Sequence, residues 1–302
     1  MDINGVRLPK FDIQPEYLDL IDNPEKVKNT YDFLIALCQK GFKKLNIKKG
    51  SDEHKKYVDR IYYELDILKE LGFVDYILLV WKVIHFCKVS DIPVGLGRGS
   101  AAGSFVLYLL GVTKIDSVKY ELFFERFVSK IRAKKKVVDG VTYLDGSLMC
   151  DIDMDVCYYK RKDVLKYLEK EFQGKTSKIR TLNTLSGKLV MKECGKTVED
   201  KSETEMNQVS SLIPKVFGQV KDISEAYDEV SEFKEWCDNN PRTYGIAQKI
   251  KGLVKNKGVH PSAILLSYDN ITKSCPIELD SDKENISSYN MDWSQMFNVK
   301  LD

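Results

Sequence analysis

Hydrophobic positions recur at helical spacing through residues 22–89. In DNPEKVKNTYDFLIALCQKGFKKL, Val27, Tyr31, Leu34 and Cys38 share one face; Asn23 is placed to cap and Pro24 suits a first helical position. Residues 52–71 repeat the pattern with Val58, Ile61, Leu65 and Leu68, and Gly72 predicts the stop. Residues 75–89 are apolar nearly all round, which predicts a buried helix. DIPVG then predicts a short strand leading into GLGRGSAAGS (95–104). Ser104 to Leu110 reads as helix, and KYELFFERF as a short amphipathic element.

The period changes after residue 130. Arg132, Lys134, Lys135 and Lys136 form a basic run, and VVDGVTY sets Asp139-Gly140 between two β-prone triplets, a hairpin signal. CDIDMDVC (150–157) alternates strictly, predicting a strand, and KRKDVLKYLEKEF predicts a charged helix. From 180 to 253 the pattern is polar amphipathic helix, punctuated by Gly187, Gly195, Pro214 and Gly218, as in a separate helical subdomain. GVHPSAILLS (258–267) returns to strand character. There is no internal repeat and no low-complexity tract.

With 302 residues, 43% of them hydrophobic, the chain can bury one large core or two. Charged residues reach 30%, yet the net charge is only +2, which excludes a strongly basic tail and leaves a local basic face open. The longest apolar run, FVLYLLGV, is far below the roughly 20 residues of a membrane span, and MDINGVRLPK lacks a signal-peptide core, so no membrane association is expected. Seven cysteines, never spaced C-x-x-C, predict a reduced cytoplasmic protein without disulfides or a zinc ribbon. His54, His85 and His260 are too scattered to predict a histidine-rich metal centre.

Two stretches carry candidate chemistry. Strand geometry puts Asp151, Asp153 and Asp155 on one face and Ile152, Met154 and Val156 on the other. Neighbouring acids would repel by about 0.7 kcal/mol in bulk water and about 2.5–3 kcal/mol at an effective dielectric near 20. An exposed acidic edge is therefore cheap, while a half-buried one needs a cation. A calcium loop of the D-x-D-x-D type would need Gly and Glu where Val156 and Lys162 stand. The remaining alternatives are a solvated edge strand or carboxylates that hold magnesium for phosphoryl or nucleotidyl transfer. GLGRGSAAGS lacks the Gly-Lys-Ser/Thr of a Walker A loop. It fits G-x-G-x-x-[GA] through Gly97, Gly99 and Ala102, but no second parallel strand ending in an acid follows, which argues against a dinucleotide fold. Close backbone packing, or a phosphate held by backbone N–H groups at a helix start, Ser100 and Arg98, are the readings left.

Seven blocks in order resemble the catalytic α subunit of bacterial DNA polymerase III, the C family of DNA polymerases: YELDILKELGFVDYILLVW, PVGLGRGSAAGS, YELFFERF, DIDMD, TLNTLSGKLVMKECGK, NKGVHPSAILLS and NVKLD. The resemblance implies an α/β (α+β) fold: a polymerase-β-like nucleotidyltransferase palm with a mixed sheet backed by helices, and an inserted helical thumb. Its domains would be palm at 1–178, thumb at 179–253 and palm again at 254–302. It implies two Mg²⁺ ions on Asp151, Asp153 and Asp302 as catalytic acids, with Asp155 structural. Arg98, Gly99, Ser100, Arg126 and Lys300 would bind the nucleotide, and a further arginine of that segment falls near Arg132. The implied reaction is deoxynucleotide addition to a primer 3′-hydroxyl, with primer–template DNA and deoxynucleoside triphosphates as partners. Members of the family are far longer. Nothing in these residues matches their histidine-rich phosphatase-like domain, fingers, clamp-binding segment or oligonucleotide-binding fold, and the segment at 130–147 stands where a short link is usual. These departures predict a phage-type or split polymerase gene with a second fragment carrying fingers and the clamp-binding segment. The competing class is a non-catalytic DNA-binding or assembly module derived from such a palm.

Overall fold

A computed structural model describes residues 4–129, 135–139, 141–145 and 149–302. Arg132, Lys134 and Gly140 lie outside the described residues. The chain divides into two compact units, Met1–Arg180 with Val259–Asp302, and Thr181–Gly258.

The first unit opens with helices α1 (Pro15–Leu18), α2 (Thr30–Lys43), α3 (Asp52–Leu71), α4 (Val74–Val89) and α5 (Phe105–Leu109). A hairpin, β1 (Lys135–Val138) and β2 (Val141–Leu144), pairs antiparallel and precedes α6 (Arg161–Glu171). Strand β3 (Thr176–Thr184) leads into the second unit. There, α7 (Gly187–Val198), α8 (Glu203–Ser211), the two-residue strands β4 (Lys215–Val216) and β5 (Gln219–Val220), α9 (Ile223–Glu229), α10 (Ser231–Asn239) and α11 (Pro241–Ile250) enclose a small core that includes Met191, Met206, Ile223 and Phe233. Strand β6 (Val254–Leu266) returns to the first unit, followed by β7 (Ile277–Leu279), β8 (Asn285–Asn290), α12 (Met291–Ser294) and β9 (Val299–Leu301).

The sheet runs in the order β7-β8-β3-β6-β9. It is mixed: β3 and β8 are parallel, whereas β7 with β8 and β6 with β9 are antiparallel. The expected α+β class, a mixed sheet backed by helices, is what the chain forms. Alternation along β6 sends Ile264 and Leu266 into the main helical core, and Ala263 and Leu265 into a smaller cluster with Ile179, Ile271 and Cys275. Strand β9 obeys the same parity. Val299 and Leu301 enter the main core, so Lys300 and Asp302 share the opposite face.

Local signals explain the ends of α3. The Ser51 hydroxyl accepts from the His54 amide (3.1 Å), and Gly72, at φ +79°, closes the helix with the Phe73 amide bonded back to Leu68 (2.9 Å). Helix α2 departs from expectation. Asn23 and Pro24 begin a single 3-10 turn, Val27 is extended, and the helix starts only at Thr30. The stronger cap lies there: Asn29 accepts from the Asp32 amide while Asp32 accepts from the Lys28 amide, both at 3.0 Å. Gly195 is another correction. It is no terminus but a buried position inside α7, where a Cβ would collide with the Met206 thioether. Gly218 instead turns the β4–β5 hairpin, with Phe217 and Gly218 both at positive φ.

The acidic stretch is extended and keeps its alternation, with Ile152 buried, but it is not a regular strand. Its neighbours allow only scattered bonds. Val156 bridges Val94, Cys157 donates to the Pro93 carbonyl (3.0 Å), and Met154 donates to the Asp302 carbonyl (2.9 Å). Pro93 has no N–H to return, and beyond Gly95 the partner segment turns away into the glycine loop. The strand expected over DIPVG shrinks for the same reason to the single bridge at Val94. All seven cysteines are free thiols. Among the described residues no helix is long and apolar enough to cross a membrane.

Candidate active site

Asp151 and Asp153 from the extended segment meet Asp302 at the end of β9, with one carboxylate oxygen from each lying within 4.8 Å of the others. The Met154–Asp302 backbone bond ties the two segments together. Strand β6 supplies the support. His260 Nδ1 accepts the amides of Ser262 (3.3 Å) and Ala263 (2.9 Å), and the Ser262 hydroxyl donates to Asp302 Oδ1 at 2.5 Å. Arg161 of α6 fixes the same serine from behind through its carbonyl (3.0 Å).

Two cations balance the acids. Lys300 Nζ lies 3.1 Å from Asp302 and 3.8 Å from Asp151. Arg98 spans Asp153 (3.4 Å) and Asp155 (3.3 Å) with its side chain more than half exposed. Burial works to lower the Lys300 pKa, but the hydrogen bond to Asp302 and the charges of Asp151 and Asp153 raise it above its ordinary value. Burial opposes ionisation of Asp302, yet Ser262 and Lys300 hold its pKa below the usual carboxylate value. At Asp153 burial and the Asp151 charge win over Arg98, and its pKa is raised. Carboxylates this close repel by about 3–4 kcal/mol per pair at an effective dielectric near 20. The donor set is hard oxygen throughout, which fits magnesium or manganese and adds the positive charge the cluster lacks.

The glycine loop approaches this cluster closely. Gly99 sits at φ +66°, and a Cβ there would lie 3.3 Å from Asp153 Oδ2. Gly99–Gly103 form a short 3-10 turn. Ser100 lines an open cleft of about 610 Å³ with Phe123, Glu125 and Arg126, the last two on the 3-10 turn Phe124–Arg126. The following helix N-terminus is not available to a phosphate. The carboxylate of Glu64, from α3, already accepts the Ser104 hydroxyl (2.8 Å) and the Phe105 and Val106 amides (2.9 and 3.0 Å). Arg60 pairs with Glu64 at 2.6 Å and also donates to the carbonyls of Gly103 (2.8 Å) and Leu122 (2.9 Å). Helix α3 thereby ties the glycine loop to the segment that carries Arg126.

The comparisons with known proteins decide the family. A profile described as Bacterial DNA polymerase III alpha NTPase domain matches residues 32–302. The chain belongs to the bacterial DNA polymerase III alpha family. Relatives named DNA polymerase III subunit alpha include that of Chlamydia trachomatis, 31% identical over 275 residues, covering 87% of this chain and 21% of the relative. That of Aquifex aeolicus is 26% identical over 309 residues, covering 94% and 24%. That of Staphylococcus aureus is 34% identical over 225 residues, covering 73% and 19%. The chain thus spans about a fifth of the length of these relatives.

In this member of the polymerase III alpha family, Asp151, Asp153, Asp302, Lys300, Arg98 and Gly99 come together around one cluster. Ser100 and Arg126 share the adjoining cleft. Asp155 stands outside the triad and meets Arg98. Sequence reasoning missed Glu64, Arg60, His260 and Ser262. Glu64 had a visible signal, an acid standing within the apolar stripe of α3; His260 and Ser262 flank a proline just before the apolar run AILL.

Proposed function

We propose that the chain carries the nucleotidyl-transfer centre of a DNA-directed DNA polymerase, with a palm formed by residues 1–178 and 254–302 and a helical thumb at 179–253. The observation that carries this reading is the convergence of Asp151, Asp153 and Asp302 beside the Gly99–Ser100 turn, in a chain of this family. Asp151, Asp153 and Asp302 would hold two Mg²⁺ ions, which when bound lower the pKa of a primer 3′-hydroxyl and neutralise charge on the triphosphate.

The chain's own residues do the rest. Asp302 is oriented by Ser262 and kept ionised by Lys300. Lys300 carries a firmly held proton and faces the same oxygens that must bind cations. Arg98 makes only long contacts to Asp153 and Asp155, so a triphosphate can draw it away at small cost. Ser100 and Arg126 line the cleft in which the triphosphate is held and from which pyrophosphate departs. Primer–template DNA and deoxynucleoside triphosphates are the substrates in this reading. Contacts to the template and the incoming base would come from polypeptide outside residues 1–302, in keeping with the fifth of the relatives' length matched here.

The test is binding of Mn²⁺ and of a deoxynucleoside triphosphate with Mg²⁺, by calorimetry and thermal shift. Both should stabilise the chain, and Asp151→Asn or Asp153→Asn should remove the effect while the fold persists. In a complete polymerase containing this chain, either variant should abolish primer extension and leave DNA binding intact. Wild-type protein that ignores Mg²⁺–triphosphate would favour a non-catalytic DNA-binding or assembly module.

A further inference from the structure

Directly after the acidic segment the chain presents Tyr158, Tyr159, Lys160, Arg161 and Lys162. The first three form a 3-10 turn that runs into α6. The two rings are 83% and 89% exposed and stand edge to face, 5.6 Å between centroids. The backbone beneath them is fixed. Cys157 donates to Pro93, and Lys160 to Cys157, each at 3.0 Å. Rings so exposed bury almost no apolar surface, so folding stability does not account for them. Lys160 meets Asp163 (3.6 Å) and Arg161 bonds the Ser262 carbonyl (3.0 Å), whereas Lys162 stands in the opening turn of α6, where the helix dipole disfavours positive charge.

One of these side chains, Arg161, is linked to the acidic cluster through a short relay. Arg161 donates to the Ser262 carbonyl, and the Ser262 hydroxyl donates to Asp302. Arg161, Lys162 and Lys166 also line, with His260, a cleft of about 780 Å³. Lys178, Lys283, Glu169, Asp282 and Glu284 line it too, with Lys178 paired to Asp280 and Glu284.

We propose that Tyr158 and Tyr159, together with Lys162 and Lys166, form a binding surface for single-stranded nucleic acid, with bases stacked on the rings and phosphates against the lysines. Stacking on an aromatic face requires an unpaired base, since a duplex hides base faces within its own stack. The lysines add an attraction that depends on salt and not on base identity. The proposal rests on the nucleotidyl-transfer reading only for its setting beside the acidic cluster.

Fluorescence anisotropy of the full chain with a labelled oligo-dT of about 20 nucleotides, and with a blunt duplex of equal length, tests it. The single strand should bind more tightly than the duplex. The double variant Tyr158→Ala/Tyr159→Ala should weaken single-strand binding about 10- to 100-fold, with an unchanged melting temperature because both rings are exposed. Tyr158→Phe/Tyr159→Phe should retain affinity. Lys162→Gln/Lys166→Gln should reduce the slope of log affinity against log salt by about 1.4. Undiminished binding by the alanine variant overturns the proposal. So does a wild type that does not bind the oligonucleotide, or an equal loss toward inorganic polyphosphate, which has no bases. Each of these results can occur with Mg²⁺–triphosphate binding intact, so the catalytic reading stands or falls separately.

Discussion

Removal of the Glu64 carboxylate should loosen the glycine loop more than any single change at its exposed residues. Glu64 is 0% exposed and accepts four hydrogen bonds, from Ser104, Phe105, Val106 and Arg60. In Glu64→Ala, two backbone amides at the start of α5 lose their partner in a buried place, at about 1–3 kcal/mol each. Arg60 also loses its counter-charge; breaking a buried pair costs about 3–5 kcal/mol. The arginine side chain is 21% exposed, so water can recover part of that. Burial already pushes the Glu64 pKa upward, against the pull of the two amides and Arg60, so removing the charge returns some energy. The expected loss is about 3–5 kcal/mol for Glu64→Ala, and about 1–3 kcal/mol for Glu64→Gln, which keeps one acceptor and the shape. Urea unfolding measures the totals, and amide hydrogen exchange at Phe105 and Val106 reads the local effect. A loss below about 1 kcal/mol in Glu64→Ala, with both amides still protected, would refute the reasoning.

Gly41→Ala should destabilise the first unit despite a helix-propensity gain of about 1 kcal/mol, because a Cβ there meets the fixed Leu109 carbonyl where α2 crosses α5; overpacking of this kind costs about 1–3 kcal/mol, and a raised melting temperature would contradict it. Gly99→Ala should weaken Mn²⁺ binding, followed by electron paramagnetic resonance, through strain at positive φ and crowding of Asp153; unchanged affinity would count against the loop's role. Asp280 accepts from Lys178 (2.7 Å) and from the Asp282 and Glu284 amides (2.8 and 2.9 Å), and the lysine above all holds its pKa below 3.8. Its contribution is therefore complete above that value and lost as the pH falls further, while Lys178, raised above its ordinary value, stays charged throughout. The stability curves of wild type and Asp280→Asn should converge toward low pH; a gap that stays constant from neutral to strongly acidic solution would show the bond to be inert.

What could be read from the sequence was what local physics decides. Ser51 and Gly72 bracket α3 through bonds made within a few residues, so its ends were legible. Asn23-Pro24 looked as good a start for α2 as any, and lost to Asn29 because Asp32 completes a reciprocal cap that composition alone does not rank. The alternation of Asp151, Asp153 and Asp155 correctly separated a polar from an apolar face. Whether that stretch found ladder partners depended on Pro93 and Asp302, both distant in sequence. Gly195 shows the same limit, since a glycine that ends a helix and one that admits a neighbouring methionine are the same letter. The acids could be proposed as a group only through family resemblance, because nothing near Asp302 in the chain announces Asp151. Glu64 stood out as an acid in the apolar stripe of α3, but its role did not, because beyond Arg60 its partners lie at the start of α5 and a helix pattern does not say which helix it will meet.

The chain leaves the first unit through β3 and comes back through β6, and these strands are neighbours in the sheet. An excursion whose two ends are adjacent closes a loop at little entropic expense, since each doubling of loop length adds only about 0.6 kcal/mol. The stretch Thr181–Gly258 is therefore exchangeable in principle. A shorter or a longer connection could join the same two strands at nearly the same entropic cost. Thermodynamically, this makes the insertion point a place where the protein can gain or lose a whole module while the acidic centre keeps its register.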